Sequence, residues 1–330
     1  MKITKPAYYD SFRCLAGACP DSCCQEWDVQ VDEASALRYL ALPGPLGDKL
    51  REKLYLEDGE YYLQITDRRC PMWRLDGLCQ IQAELGEEAL CHTCRNFPRL
   101  RHDYGDFLEL GLELSCPEAA RLILSQPDAP SVVTDVPGGD APEYDAQVMQ
   151  ILLRTRREAL KLLQQPVPQA LVSLLLYAYQ VQEEIDGGEV ALPDPATDWA
   201  LAQKLAAPAS AEALRQFYLD LEILTPRWRQ LLCAPASADQ WDPGLLAIVR
   251  YAIGRYWLQA VSDLDIVCRV KMIVAACILL RELGGPLLQT AQLYSKEIEN
   301  SAENVDAILD AAYTHPAFTD VYLLGLLMQK

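Results

Sequence analysis

Cysteine is the residue that most constrains this chain, because nine of its twelve cysteines lie between positions 14 and 116 of 330. They follow the pattern C-x4-C-x3-C-C, then C-x8-C-x11-C-x2-C, then one further cysteine before a proline. The nine are Cys14, Cys19, Cys23, Cys24, Cys70, Cys79, Cys91, Cys94 and Cys116. Small thiol-rich metal domains have little regular structure, because the ligands themselves cross-link the chain. We therefore expect an irregular fold in this region.

The sequence contains no secretion motif that would explain the thiols as disulfides. Met1–Arg13 mixes charged and apolar residues and lacks the apolar core of a signal peptide. No apolar run approaches the ~20 residues that span a membrane. The sequence therefore predicts a cytoplasmic protein. Thiols stay reduced in that compartment, which favours metal binding or catalysis over a disulfide framework.

The charge of the chain bears on its partners, since the formal net charge is −18 at pH 7. Nucleic acid and anionic membrane surfaces both bind through cationic patches, so the charge predicts that neither is a partner. A lysine-bearing protein would instead be attracted, although solubility alone also explains many acidic proteins.

The thiol pattern is compatible with two kinds of metal centre. A tetrahedral zinc site and a 4Fe–4S cluster each take four protein ligands, and thiolates suit both. Nine thiols suffice for one site with spares, or for two sites with one left over. Successive side chains diverge in helices and strands, so Cys23 and Cys24 need a turn to share a metal and otherwise serve different partners. Spacing does not decide which four thiols act together.

The chain divides into two parts of different character. We predict a Cys-rich domain at 1–124, a linker at 125–142 that is rich in proline, glycine and small polar residues, and an all-α domain at 143–330. In the first part, Tyr61–Ile65 and Phe107–Leu114 have strand character, and Asp76–Gly77 is a plausible hairpin turn. The predicted fold class is mainly α, with a small β-hairpin in the Cys-rich domain.

The second part contains apolar stripes with helical spacing and no strand-like alternation. Three cysteines here, Cys233, Cys268 and Cys277, are predicted to be structural, because free cysteine is commonly a small buried hydrophobe. The predicted helices are Asp145–Leu163, Leu171–Ile185, Trp199–Leu205, Ala211–Leu224, Leu245–Val261, Ile266–Leu283, Leu287–Glu299, Val305–Tyr313 and Leu323–Met328.

Two segments carry a resemblance to a known family. They are "FRCLAGACPDSCCQEWDVQVD" and "CPMWRLDGLCQIQAELGEEALCHTCRNFPR". Together they resemble the flagellin lysine-N-methylase family and the broader zinc- or iron-chelating domain of the CxxCxxCC type. The similarity covers roughly residues 8–120 and includes all nine clustered cysteines. The helical part offers no motif that extends it.

The resemblance implies methylation of lysine side chains on flagellin, a component of the bacterial flagellum. It also implies a Cys-ligated iron–sulfur cluster, with zinc as the alternative, and S-adenosylmethionine as the methyl donor. The glycine-rich runs lack the strand–turn–helix context of the Rossmann-type methyltransferase. The usual radical S-adenosylmethionine motif C-x3-C-x2-C also fails, because Cys24 directly follows Cys23. Any cluster that binds this donor therefore uses a different ligand set.

Several charged residues near the thiols are further candidates. Arg95 and Arg99, with Arg101, form a cationic cluster that either pairs with local carboxylates or binds a cofactor carboxylate through the planar guanidinium fork. A substrate lysine must also lose a proton before it acts as a nucleophile. The sequence does not choose among the carboxylates that could accept that proton or hold the ammonium, which include Asp28, Asp67, Asp76 and Glu113.

Two other readings remain open from the residues alone. In the first, the protein is a non-catalytic zinc or iron protein whose four-thiolate sites are structural and whose helical domain binds a partner. In the second, it stores or delivers iron or zinc. Colour separates zinc from a 4Fe–4S cluster, because only the cluster absorbs visible light.

Overall fold

The structure is a computed structural model that describes residues 1–27, 29–126, 129–188, 193–235 and 240–329. The fold is mainly helical with two small sheets near the N-terminus, which confirms the predicted fold class at that level. Among the described residues, no helix is both long and apolar enough to cross a membrane. The strands are β1 (Lys2–Pro6), β2 (Val29–Val31), β3 (Leu54–Glu57), β4 (Glu60–Leu63), β5 (Arg99–Asp103), β6 (Phe107–Leu112) and β7 (Ser131–Asp135).

The larger sheet has the strand order β5-β6-β1-β7. Strand β1 runs parallel to β6 and antiparallel to β7, with Lys2 opposite Phe107 on one side and Asp135 on the other. Strand β7 lies within the predicted linker at 125–142, so the described part of this stretch is not all loop. Its β-branched residues Val132, Val133 and Thr134 suit an edge strand, and β1 offers the backbone groups that pair with them.

The smaller sheet has the order β2-β4-β3 and contains the β-hairpin. Its turn is at Asp58–Gly59, where both residues have positive φ, as a tight hairpin turn requires. Asp76–Gly77 also forms a turn, in which the Gly77 N–H donates to the Arg74 carbonyl at 2.9 Å. The segments beside it form only an isolated bridge between Trp73 and Cys79 rather than a hairpin.

Short helices surround this smaller sheet. They are α1 (Glu33–Ala41), α2 (Gly44–Lys53), α3 (Gln80–Leu85) and α4 (His92–Asn96), and α5 (Pro117–Ser125) follows β6. Asp32 caps α1 by accepting from the Ser35 N–H at 2.9 Å. Its second oxygen accepts from the His92 N–H at 2.8 Å, so one carboxylate fixes the start of α1 and the start of α4 together. Burial opposes this charge, but the two N–H donors lower the pKa of Asp32 to about 2.

The remaining chain is helical, and each predicted apolar stripe contains a helix. Helix α10 was not predicted, because its eight residues include two arginines and a glutamine and only Trp228 and Leu232 are buried. A π-helical turn at Ser295–Glu299 continues α14. The helices are α6 (Ala146–Leu162), α7 (Val167–Ile185), α8 (Pro195–Leu205), α9 (Glu212–Asp220), α10 (Pro226–Cys233), α11 (Leu245–Tyr256), α12 (Ala260–Asp263), α13 (Val267–Leu283), α14 (Leu287–Tyr294), α15 (Ala302–Thr314) and α16 (Asp320–Leu327).

Apolar side chains pack into two separate hydrophobic cores. The larger core is formed by the helices from α5 onward together with Phe12, Leu112 and Leu114. The smaller core is formed by side chains from α1, α2, the smaller sheet and the segments around Met72 and Leu90. Since α5 packs with the helices, the larger core reaches across the predicted boundary at residue 124. The division into domains itself remains a prediction.

Candidate metal centre

The nine clustered cysteines lie in two adjoining groups. We call the first the inner thiol group, and it lies at the smaller core. Its members are Cys24, Cys70, Cys79, Cys91 and Cys94. Cys70 and Cys91 are buried in that core, and the other three pack against it. The Cys70 N–H donates to the Cys24 carbonyl at 2.7 Å, which joins two cysteines that are 46 positions apart.

Helix α4 sets the geometry of the CHTC motif. Cys91 is the N-cap of α4, and Cys94 follows three positions later, so one helix turn brings the two side chains together. The Cys94 thiol donates to the Cys91 sulfur. This hydrogen bond raises the pKa of Cys94 and lowers that of Cys91. The two thiols of the motif are therefore coupled, and Cys91 is the one that loses its proton first.

Burial governs the other inner thiols. It raises the pKa of Cys70 to about 12 and also raises that of Cys79. Ionisation of Cys24 raises both pKa values further, so these sulfurs lie within one another's field. Several thiolates cannot persist together here without positive charge, which is the environment that a metal ion stabilises.

The second group, which we call the seam thiol group, lies where the N-terminal loops meet the helices. Its members are Cys14, Cys19, Cys23 and Cys116. Cys116 is the buried N-cap of α5, whereas Cys14 and Cys23 are exposed. Burial raises the pKa of Cys116 to about 11, and ionisation of Cys19 or Cys14 raises it further. Three cysteines of the group therefore come from one loop and the fourth from a distant helix start.

Helix α14 and its π-helical turn hold that loop in place. The Lys296 ammonium, which is 3% exposed, pairs with one Asp21 oxygen at 2.8 Å. The Gln292 amide donates to the other Asp21 oxygen at 2.8 Å and to the Ser115 carbonyl at 2.7 Å. One amide thus links the loop that carries Cys19 and Cys23 to the segment that carries Cys116.

The adjacent cysteines mark the border between the two groups. Cys23 lies in the field of Cys14 and Cys116, whereas Cys24 lies in the field of Cys70, Cys79 and Cys94. The Cys23 thiol also donates to the Cys24 sulfur, which lowers the pKa of Cys24 to about 7. The two neighbours therefore face different partners while they remain in contact.

The thiols have the right chemistry for a metal but are not arranged as a finished site. Among the described residues, no set of three or more His, Cys, Asp and Glu side chains is positioned to hold a metal ion. Thiolates are nevertheless the donors that zinc and iron–sulfur clusters use. A metal would have to draw the sulfurs of one group closer together.

The predicted arginines lie beside the thiols and have protein partners. Arg95 donates to the carbonyls of Glu88 and Leu90 and pairs with the Glu88 carboxylate at 3.4 Å. The guanidinium of Arg99 lies 5.3 Å from the ring centre of Phe12. Arg95 thereby ties the loop before Cys91 to α4. A cofactor-binding role for either arginine remains a prediction.

The predicted carboxylates differ in their surroundings. Asp28 lies outside the described residues. Asp67 is exposed, and Asp76 is also exposed and pairs with Arg74 at 2.7 Å. Glu113 is partly buried, with a side chain that is 15% exposed, and this burial raises its pKa although Arg255 opposes the rise. Glu113 is therefore a candidate whose pKa the surrounding fold raises.

A buried charge network behind Glu113 was not predicted from the sequence. The Arg255 guanidinium lies 3.5 Å from carboxylate oxygens of both Glu113 and Glu299, and it donates to the Tyr251 hydroxyl at 2.7 Å. Tyr251 and Tyr256 each donate to Glu299 at 2.9 Å. The stripe Leu245–Val261 contains two arginines, Arg250 and Arg255, and nothing in the sequence indicates which of them is buried. The network joins α11 and the π-helical turn to the segment before Cys116.

A cleft of about 990 Å³ lies between the larger sheet and helices α6 and α11. Its cationic lining residues are Lys2, Lys5, Arg156, Arg157, Arg250 and Arg255, and its acidic ones are Asp106, Glu109 and Asp135. This excess of positive charge disfavours a lysine side chain as the occupant.

Three curated proteins of Salmonella are similar to this chain. The flagellar biosynthetic protein FliU of Salmonella muenchen is 36% identical over 134 residues, which are 38% of this chain and 79% of that protein. Lysine-N-methylases of Salmonella typhimurium strain LT2 and Salmonella choleraesuis strain SC-B67 are each 35% identical over 134 residues. The match spans 33% of the length of each lysine-N-methylase.

No protein-family profile and no solved structure matches the chain. The family therefore rests on these relatives, of which the match to FliU covers more than two thirds of that protein. Their names agree with the resemblance carried by the cysteine segments. The chain belongs to the flagellin lysine-N-methylase family.

Proposed function

We propose that this chain is a cytoplasmic protein-lysine N-methylase that acts on flagellin. Its metal centre is held by the clustered thiols, and its methyl donor is S-adenosylmethionine. The observation that carries the proposal is the similarity to lysine-N-methylases. The nine clustered thiols of this chain, which lie in two groups, supply the ligands for the proposed metal centre. The proposed activity follows from the names of these relatives, whereas flagellin and S-adenosylmethionine are what the resemblance of the cysteine segments to the family implies.

The thiols would hold the metal in this proposal. A bound 4Fe–4S cluster supplies redox-active iron, whereas zinc supplies a redox-inert tetrahedral cross-link. The chain's own residues supply the thiolates and hold the Cys19–Cys23 loop through Asp21, Gln292 and Lys296. They also bury Cys70 and Cys91 of the inner thiol group away from water. Arg95 and Arg99 are our candidates for contacts to a cofactor.

One observation favours the non-catalytic alternative. The inner thiol group lies inside its own small apolar core, as closed structural zinc sites do. In that case the thiols stabilise the small sheet region, and the helices bind a partner. Metal bound without any methyl transfer would support this reading.

The proposal is tested by a methyl-transfer assay on purified flagellin. Metal-replete protein, prepared without oxygen, is incubated with S-adenosylmethionine and flagellin. The masses of the lysine-containing flagellin peptides are then measured by mass spectrometry. We expect mass increments of whole methyl groups on flagellin lysines. The variant Cys91→Ser/Cys94→Ser should lose this activity, whereas Cys233→Ser, whose exposed thiol lies on α10, should keep it. Unmodified flagellin with metal-replete protein contradicts the proposal.

A further inference from the structure

We infer that the cleft between the larger sheet and helices α6 and α11 binds a small organic anion, which carries a carboxylate or phosphate on an apolar body. The cleft volume of about 990 Å³ lies at the upper end of the volumes of small-molecule sites. No cysteine is among the described residues that line the cleft. The inference therefore adds a binding site to the proposed function and holds whether or not the chain methylates flagellin.

The floor of the cleft is one face of the larger sheet. Side chains alternate between the two faces of a strand, and the register places Lys2 of β1 between Phe107 of β6 and Asp135 of β7. Two positions further along their strands, Glu109 and Val133 are on the same face. All five residues line the cleft. The floor therefore combines apolar surface with a few charged groups, as small-molecule sites do.

Helices α6 and α11 form the walls of the cleft, and a glycine keeps one wall open. Leu153 and Leu160 of α6 add apolar surface. Gly254 of α11 also lines the cleft, and a Cβ at this position would meet no atom within 4 Å. Glycine is less favourable than alanine inside a helix, so helix stability does not explain this residue. Its effect is to leave room for a ligand at this wall.

The charge of the cleft favours an anion. Its described lining residues carry six cationic groups against three acidic ones. The Arg156 guanidinium uses its charge within the protein, because it donates to both Glu109 oxygens at 2.6 and 2.8 Å. Lys2 and Arg157, in contrast, form no ion pair with any residue in the described part of the chain. Their charges are therefore available to a ligand, and a guanidinium fork suits carboxylate or phosphate.

A histidine nitrogen at the floor of the cleft lacks a partner. His102 is opposite Glu109 in the pairing of β5 with β6, and it lines the cleft. Its Nε2 atom is buried and has no hydrogen-bond partner among the described residues. Burial lowers the pKa of His102, and Arg255 and Arg156 lower it further, so the imidazole is neutral at pH 7. An unpaired buried polar atom costs free energy, and a ligand oxygen that accepts from Nε2 would remove that cost.

The same charge distinguishes this ligand from the proposed methyl donor. S-adenosylmethionine carries a sulfonium and an ammonium against one carboxylate, so it is a net cation. A cleft with excess positive charge disfavours a cation and attracts an anion. An organic anion matches both parts of the lining, since its charged end suits Lys2 and Arg157 and its apolar body suits Phe107 and Leu153.

Binding of a fluorescent anion to the full chain tests the inference. The probe is 8-anilinonaphthalene-1-sulfonate, which joins a sulfonate to an apolar aromatic body. We expect saturable binding of one probe per chain, with displacement by 1-naphthyl phosphate or 1-naphthoate, and the stronger competitor identifies the preferred anionic group. Inorganic phosphate at equal ionic strength, the cation 1-naphthylmethylammonium and S-adenosylmethionine should not displace it. Absence of saturable binding, or equal displacement by any of these three controls, overturns the inference.

Two variants with matched controls place the probe in the cleft. Gly254→Phe fills the open wall and should abolish saturable binding, whereas Gly254→Ala adds one methyl group and should keep it. Arg157→Met should weaken binding about tenfold, as loss of a charged hydrogen bond does. Arg154→Met should bind the probe as the wild type does, because Arg154 is on the same helix but pairs with Glu184 and does not line the cleft. Circular dichroism checks that each variant is folded.

Unchanged binding in Gly254→Phe and Arg157→Met overturns the assignment to the cleft. A protein that binds the probe in this way but transfers no methyl group fails the proposed function alone. A protein that methylates flagellin but does not bind the probe fails this inference alone.

Discussion

Replacing Arg255 by methionine is expected to lower the free energy of unfolding by about 3–5 kcal/mol, because it leaves buried carboxylates without their cation. The Arg255 guanidinium is 10% exposed and lies 3.5 Å from both Glu113 and Glu299. Methionine fills similar volume but cannot donate to the Tyr251 hydroxyl or pair with a carboxylate. Urea unfolding of both proteins measures the difference.

The matched control is Arg157→Met, which removes an exposed arginine from α6. It should change stability by no more than about 0.5 kcal/mol. An equal loss in the two variants would contradict the role assigned to Arg255.

The pH dependence of the Arg255 variant follows from Glu113. Burial already raises the pKa of Glu113, and loss of Arg255 removes the main opposing charge. The folded variant then binds a proton more tightly than the unfolded chain does. Its stability deficit should therefore shrink as pH falls from neutral to about 5, and it should grow as pH rises. A deficit that is constant across this range would contradict the assignment to Glu113.

Removing the metal is expected to open the small sheet region while the helices stay folded. The inner thiols are part of the core of this region, so metal-binding free energy there is also folding free energy. For structural zinc in small domains that contribution reaches about 10–16 kcal/mol. After chelation, trypsin should cleave quickly at the exposed Arg68, Arg69 and Arg74.

The helices supply the internal control for that digestion. Arg269 and Arg281 are buried on α13, in the larger core that contains only Cys116 of the nine thiols, so these sites should resist trypsin with or without chelator. Identical digestion before and after chelation would show that the inner thiols do not stabilise the fold through a metal.

The helices were predictable because their pattern is local. The stripe at Asp145–Leu163 became α6 at Ala146–Leu162, since apolar spacing and the Asp145 cap act within a few residues. Strand β7 was missed because its partner β1 lies about 130 residues away, and "SVVTD" is flanked by proline and glycine that read as a loop. Pairing between distant strands leaves no mark in the local sequence.

The cysteines were predictable as a set but not in their grouping. Spacing alone could not show that Cys24 lies against Cys70 or that Cys116 belongs with Cys14 and Cys23. These contacts depend on which core buries each segment. The partners of Arg255 could not be predicted for the same reason, because a charged residue in an apolar helix stripe does not indicate which distant strand or turn pairs with it.

The most direct measurement is metal and acid-labile sulfide analysis, with a visible spectrum, on protein purified without oxygen. The account predicts iron and sulfide in equal amounts, about four of each per cluster, and broad visible absorbance. Colourless protein that contains zinc and no sulfide would contradict the cluster-dependent methylase and leave a structural metal domain. Metal-free protein with all twelve thiols free would contradict the metal centre altogether.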